Sequence, residues 1–93
     1  MARRTVHVMV RGRVQGVGYR AWTQRQATAR GLSGWVCNRR DGAVEAVFSG
    51  NNDAVAAMLV AVHSGPRGSR VDDVMVNEHQ GAQTGAFVVR ETY

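Results

Sequence analysis

Strand-like and helix-like segments alternate along this chain in an order that few folds accommodate. The sequence predicts, in chain order, a strand at 4–10, a helix at 20–30, strands at 35–37 and 44–48, a helix that begins at 51–53 and ends before Gly65, a strand at 70–79 and a short strand at 87–90. Two helices and one sheet can all bury their apolar faces only if both helices pack on the same side of the sheet. The order therefore predicts an α+β fold, a ferredoxin-like βαββαβ sandwich with two helices on one face of a mainly antiparallel sheet of four to five strands.

Two of these segments have a clear hydrophobic period. In the first strand valine occupies every second position from 6 to 10, which places the valines on one face. In the second helix an i, i+3, i+4, i+7 spacing aligns Val55, Met58, Leu59 and Val62. The first helix has a weak apolar face and is predicted from its length and from Gly31 after it. We expect Trp22, Trp35 and Phe48 to pack in the core or between helix and sheet.

Length and composition limit the class of protein. A chain of 93 residues has room for one compact domain, which we expect to span 1–93. Its apolar runs are too short for a membrane span of roughly 18–20 residues, and no apolar stretch follows the first arginines, so we expect no membrane partner and no secretory signal. The single cysteine, Cys37, cannot form an internal disulfide and fits a reducing cytosol. We therefore expect a cytoplasmic protein, and a monomer.

The charge is basic and comes entirely from arginine. The sequence has 12 arginines and no lysine, with 7 acidic residues, for a net charge of +5. Guanidinium groups favour bidentate recognition of phosphate and carboxylate. The balance indicates an anionic partner, but net charge alone does not choose between RNA, a membrane surface and a small phosphorylated substrate.

The segment GRVQGVGYR, residues 12–20, joins the first strand to the first helix and contains three glycines. A helix N-terminus attracts anions, and glycines let consecutive N–H groups turn toward one point. The amides from Gln15 to Arg20 could therefore surround a phosphate, with the guanidinium of Arg20 beside it. The alternative is an ordinary turn that tolerates glycine, with Arg20 solvated, and the spacing alone leaves both open.

Two motifs carry a resemblance to a known family. VRGRVQGVGYR resembles the first signature of the acylphosphatases, a G-x-V-Q-G-V loop that ends in an aromatic residue and an arginine. GWVCNRRDGAVEAVFSG resembles the second signature, in an aromatic residue at 35 and in Gly34, Asn38, Gly42, Val44 and Gly50. The resemblance covers essentially the whole chain. It departs at Tyr19, where phenylalanine is more usual, and at Cys37, where the residue is more often basic or polar.

The resemblance implies an acylphosphatase, which hydrolyses acyl phosphates to a carboxylate and inorganic phosphate. It implies that Arg20 binds the phosphoryl group and that Asn38 orients the attacking water. The main-chain N–H groups that would hold the phosphoryl oxygens are those of Gln15, Gly16, Val17, Gly18, Tyr19 and Arg20. A carboxylate leaving group, with a conjugate-acid pKa of about 4, departs without a general acid. The resemblance therefore implies no metal and no cofactor, with inorganic phosphate as both product and competitive inhibitor.

Two other functions share some of these features. An RNA-recognition module has the same element order but needs aromatic residues on its third strand, where this chain has AVEAVFSG. We therefore expect no nucleic-acid partner. A protein that binds anions without turnover would have no use for an amide at Asn38.

The remaining reactive side chains indicate structural roles. His7, His63 and His79 are widely spaced and lack a metal-binding pattern. Cys37 is interpreted as an ordinary strand thiol, and Arg39 and Arg40 as a solvated pair beside the hairpin turn. The sequence leaves open whether the terminal carboxylate of Tyr93 reaches the site.

Overall fold

A mixed sheet with two helices on one face makes up the structure, a computed structural model that describes residues 2–92. In chain order its elements are β1 (Arg3–Arg13), α1 (Tyr19–Ala29), β2 (Ser33–Asn38), β3 (Val44–Asn51), α2 (Asn52–Ser64), β4 (Arg70–Glu78) and β5 (Phe87–Val89). The strand order is β4-β1-β3-β2-β5, and all neighbouring pairs are antiparallel except β2 and β5. The predicted ferredoxin-like α+β fold is confirmed, with small differences at the ends of the elements.

The core lies between the sheet and the helices. The valines of β1 are buried there, as their period predicts. In the stripe of α2, Val55, Met58 and Val62 are buried and Leu59 is partly buried. Helix α1 instead buries Tyr19, Thr23 and Ala27, a face with two polar groups, which explains its weak apolar period. Phe48 of β3 stacks on Phe87 of β5 with ring centroids 5.5 Å apart. Neither helix within residues 2–92 is long and apolar enough to cross a membrane.

No helix of the described part of the chain packs on the opposite face of the sheet, the open face, and Trp35 lies there. The prediction that Trp35 packs in the core or between helix and sheet is wrong, because neighbouring strand residues face opposite sides and Val36 takes the core position. The guanidinium of Arg90 lies 4.6 Å from the Trp35 ring centre. Strand β3 presents Glu45, Val47 and Ser49 to this face. These are not aromatic side chains on which RNA bases would stack.

Candidate active site

The loop between β1 and α1 turns at two glycines. Gly16 has φ 74°, and Gly18, directly before α1, has φ 76° and ψ 22°. A Cβ at either position would meet no atom within 4 Å, so the left-handed backbone rather than lack of space requires glycine. Val17 between them has a negative φ. Such alternation of backbone hand turns successive N–H groups into an anion-binding concavity.

The third glycine of the motif, Gly12, lies outside this loop because β1 continues to Arg13. The pairing of β1 with β4 shifts between Arg11 and Gly12. A Cβ on Gly12 would lie 2.2 Å from the carbonyl oxygen of Arg70, so this glycine permits the close approach of β4. The loop between β1 and α1 is therefore shorter than the motif and consists of residues 14–18.

Both ends of the loop are fixed in the core. Val14 is completely buried, and Tyr19 is 2% exposed. The Tyr19 hydroxyl donates a hydrogen bond to the carbonyl oxygen of Val62 in α2 at 2.7 Å, and burial raises the pKa of the phenol. The loop therefore cannot shift as a unit without disturbing packing against both the sheet and α2.

The middle of the loop is held by a contact that the sequence does not predict. The side-chain Nε2 of Gln15 donates to the carbonyl oxygens of Arg39 at 2.7 Å and Ala43 at 2.9 Å, both in the β2–β3 turn. The motif indicates Gln15 only as a main-chain donor. The turn lies beside the loop only in the folded chain, so no local sequence pattern predicts this contact.

The loop and the first two residues of α1 present unused main-chain donors. The N–H groups of residues 15–20 donate to no acceptor among residues 2–92, and the first hydrogen bond at this helix start runs from Trp22 N to Gly18 O at 3.0 Å. Gly18 has no side chain to cap α1, and the first turn contains no acidic residue. Free N–H groups and the helix dipole together favour a bound anion.

A cleft of about 300 Å³ opens at this helix start and contains most of the predicted site. Its lining residues are Val14, Gln15, Gly16, Gly18, Tyr19, Arg20, Ala21, Asn38 and Val89. Arg20 and Asn38, which are far apart in the sequence, therefore meet in one cavity. Val17 is the one predicted site residue that is not part of the lining, and its side chain packs against the core. The apolar wall formed by Val14, Ala21 and Val89 was not predicted.

Of the polar side chains that line the cleft, those of Arg20 and Asn38 are the least engaged within residues 2–92. Arg20 is half-buried and its Nη1 donates to the carbonyl oxygen of Arg90 at 3.3 Å. Among residues 2–92 no carboxylate oxygen lies within 4 Å of that guanidinium. Asn38 ends β2, and within the described part of the chain its carboxamide makes no hydrogen bond. The sequence leaves open whether the terminal carboxylate of Tyr93 reaches the site, and Tyr93 lies outside the described residues.

The residue after Asn38 is part of a charge cluster on the open face. Arg39 Nη1 lies 2.8 Å from Glu45 Oε1, and His7 Nε2 lies 2.5 Å from Glu45 Oε2. The side chain of Arg39 is 37% exposed, so it is solvated as predicted, but it also forms an ion pair that the sequence does not predict. Burial acts to raise the pKa of Glu45, but the hydrogen bonds from His7 and Arg39 outweigh it and the pKa is lowered. Cys37 is buried nearby, and burial followed by the charge of Glu45 raises the pKa of its thiol. Among residues 2–92 no group of three or more His, Cys, Asp or Glu could hold a metal ion.

Comparisons with known proteins agree on one family. A protein-family model described as Acylphosphatase matches residues 6–89. A protein of Bradyrhizobium diazoefficiens named Acylphosphatase is 58% identical over 82 residues, which are 88% of this chain and 82% of that protein.

Solved structures agree in both fold and sequence. The crystal structure of acylphosphatase from Bacillus subtilis matches with a TM-score of 0.89 and 38% identity, over 92% of this chain and 97% of that one. The structure of an acylphosphatase from Coxiella burnetii matches with a TM-score of 0.91 and 33% identity, over 95% and 93% of the two chains.

Proposed function

The chain belongs to the acylphosphatase family and is an enzyme of that type, which hydrolyses acyl phosphates, and we propose that it does so by direct attack of water on phosphorus in the cleft at the start of α1. The observation that carries the proposal is that a single cleft gathers Arg20, Asn38 and the loop with its unused N–H groups. The acyl phosphate binds with its phosphoryl group toward the loop.

The phosphoryl oxygens are held by charge and by hydrogen bonds. The N–H groups of residues 15–20 donate to them, and the guanidinium of Arg20 offers a planar fork of donors. Phosphoryl transfer depends mainly on positioning and on stabilising the charge of the equatorial oxygens. The positive φ values at Gly16 and Gly18 support this role, since they let the loop turn its amides to one side.

The attacking water is oriented by the carboxamide of Asn38. An amide offers one acceptor oxygen and two N–H donors, so it can fix a water molecule without removing a proton before attack. This assignment is supported by the position of the carboxamide, which lines the cleft and makes no hydrogen bond to any residue from 2 to 92.

The bonds and charges balance without a general acid. Water oxygen bonds to phosphorus, the bond between phosphorus and the carboxyl oxygen breaks, and its electron pair leaves on the carboxylate. An acyl phosphate dianion and water thus give a carboxylate and dihydrogen phosphate. A leaving group whose conjugate acid has a pKa of about 4 needs no proton at physiological pH.

The testing experiment is hydrolysis of benzoyl phosphate with a chelator present, in water enriched in ¹⁸O. We expect release of benzoate and inorganic phosphate well above the buffer rate, with the label in the phosphate. No release above the buffer rate contradicts the reaction, and label in benzoate contradicts attack on phosphorus. Inorganic phosphate should compete with the substrate, as expected of a product that occupies the loop.

We also propose that the enzyme acts as a cytoplasmic monomer without nucleic-acid or membrane partners. Cys37 is a buried free thiol, which fits a reducing compartment such as the cytoplasm. Sedimentation equilibrium should give the mass of one chain, 10.1 kDa, and a dimer mass would contradict this part of the proposal.

A further inference from the structure

We propose that the side chain of Gln15 is a positioning residue that sets the distance between the phosphate-binding loop and Asn38. The inference rests on the mechanism proposed above, in which the loop holds the phosphoryl group and Asn38 holds the water. These groups lie on separate elements, the loop after β1 and the last residue of β2. Their separation is therefore set by contacts between those elements.

The side chain of Gln15 makes such a contact from within the loop itself. Its Nε2 donates to the carbonyl oxygens of Arg39 at 2.7 Å and Ala43 at 2.9 Å. Arg39 directly follows Asn38, and the main-chain N–H of Gln15 is one of the unused donors of the loop. One side chain thus joins the anion-binding backbone to the residue next to the water-binding amide.

The β2–β3 turn does not need Gln15 to satisfy its own carbonyl groups. The oxygen of Arg39 already accepts from Gly42 N at 3.1 Å, and the oxygen of Ala43 accepts from Arg39 N at 2.8 Å. Each carbonyl oxygen has two lone pairs, so Gln15 supplies a second donor to both. What the side chain adds is the position of the turn relative to the loop.

The residue type matches this geometry. Two acceptors face one nitrogen with two hydrogens, and a carboxylate at the same place would offer acceptors only. The side chain of Arg39 is held from elsewhere by Glu45 at 2.8 Å. Glu45 and the hydrogen bonds within the turn hold Arg39 to β3, whereas Gln15 is what joins it to the loop, so loss of Gln15 removes that link.

Loss of the contact should lower turnover more than phosphate affinity. The loop N–H groups and Arg20 would still bind the anion, while Asn38 would no longer be aligned with it. A misplacement of about 1 Å between reacting groups can cost about 10²-fold in rate.

The experiment compares Gln15→Met with Gln24→Met, using benzoyl phosphate as substrate and inorganic phosphate as the competing anion. Gln24 is a matched control, since its Nε2 also donates to a carbonyl oxygen, that of Phe87 at 3.3 Å, but it does not line the cleft. For Gln15→Met we expect kcat to fall about 10- to 100-fold and the Ki of phosphate to change less than about threefold. For Gln24→Met both should stay within about threefold. Gln15→Glu should lose at least as much turnover as Gln15→Met.

A second measurement separates positioning from a general structural role. If Gln15 acts through Asn38, then Gln15→Met should cost little further turnover in an Asn38→Ala background. An equal loss with and without Asn38 overturns the proposal, as does a Gln15→Met enzyme with unchanged kcat, whatever its Ki. If circular dichroism shows that Gln15→Met is unfolded, Gln15→Asn takes its place, because it keeps the amide on a side chain one methylene shorter. An unmodified enzyme that fails to hydrolyse benzoyl phosphate refutes the proposed function instead, so the two failures are distinct.

Discussion

Both helices of this fold follow a β-strand, yet their N-termini are built in opposite ways. Helix α2 begins directly after β3, where Asn51 Oδ1 accepts a hydrogen bond from Asp53 N at 2.8 Å and Asp53 puts a carboxylate in the first turn. Helix α1 begins after Gly18, has no side-chain cap and no acidic residue in its first turn, and carries Arg20 there. One helix start is closed by its own polar groups, while the other is left open to an anion.

The difference means that helix α1 lacks stabilising interactions at its N-terminus that helix α2 has. A side-chain cap stabilises a helix by about 1 kcal/mol, and an acidic first turn adds to that through the helix dipole. Helix α1 has neither, and the N–H groups at its start have no acceptor among residues 2–92. A local rule that is obeyed at one βα junction and broken at the other is typical of a functional site.

Arg20→Ala should give the largest effect. Removal of the guanidinium that lines the cleft should lower kcat/KM by about 10³-fold or more, the scale of an arginine that stabilises a phosphoryl-transfer transition state. Steady-state kinetics with benzoyl phosphate measure the loss. Arg25→Ala is the matched control, since Arg25 is an exposed arginine of the same helix and should stay within about twofold. Near-normal turnover in Arg20→Ala would mean that the open helix start is not the catalytic end of the molecule.

Asn38→Ala should come next. If the carboxamide orients water, kcat should fall by about 10²-fold while KM and the Ki of phosphate change little. The control is Asn77→Ala, an exposed asparagine on β4 that does not line the cleft. An effect on KM alone would reassign Asn38 to phosphate binding and would leave the water without an identified partner.

Gly18→Ala tests whether the backbone of the open helix start is what binds the anion. No atom would collide with the new Cβ, so the cost is the left-handed conformation alone, about 1–2 kcal/mol. Relaxation of that strain should rotate the adjacent N–H groups and weaken phosphate binding by about 10-fold. Gly31→Ala, at the other end of α1 with φ 69° and equally open space, should lose similar stability with unchanged kinetics. Equal kinetics in the two variants would contradict an anion site made of main-chain donors.

Much of this architecture is predictable because it is encoded locally. The alternation in β1 and the stripe of α2 predict their elements and their buried faces, and the two signature motifs indicate Arg20 and Asn38, which the structure brings into one cleft. The hydrophobic pattern indicates helix α1 less clearly, for a physical reason. It buries the hydroxyls of Tyr19 and Thr23, whose hydrogen bonds to main-chain oxygens are invisible to a hydrophobic pattern.

The features that the sequence does not predict depend on contacts between segments that are distant along the chain. In β2, Trp35 and Val36 are adjacent apolar residues, and only the packed sheet decides which of them faces the helices. The ion pair of Arg39 is not predicted because its partner, Glu45, becomes its neighbour only once β2 and β3 pair. The side-chain contacts of Gln15 depend on how that same turn sits beside the loop. Strand register and the relative placement of segments are set by the whole fold, so the pattern within a single segment does not predict them.

Asn51→Ala should give the smallest effect, and it tests the closed helix start. Loss of the cap on α2 should lower the free energy of unfolding by about 1 kcal/mol, equivalent to a fall in Tm of about 4–8 °C for a domain of this size. Thermal unfolding followed by circular dichroism measures it. Because the start of α2 does not line the cleft, kcat, KM and the Ki of phosphate should remain those of the unmodified enzyme. A folded Asn51→Ala variant with lowered kcat would show that the two helix starts are coupled through the core, and the contrast between a stabilising and a catalytic junction would then fail.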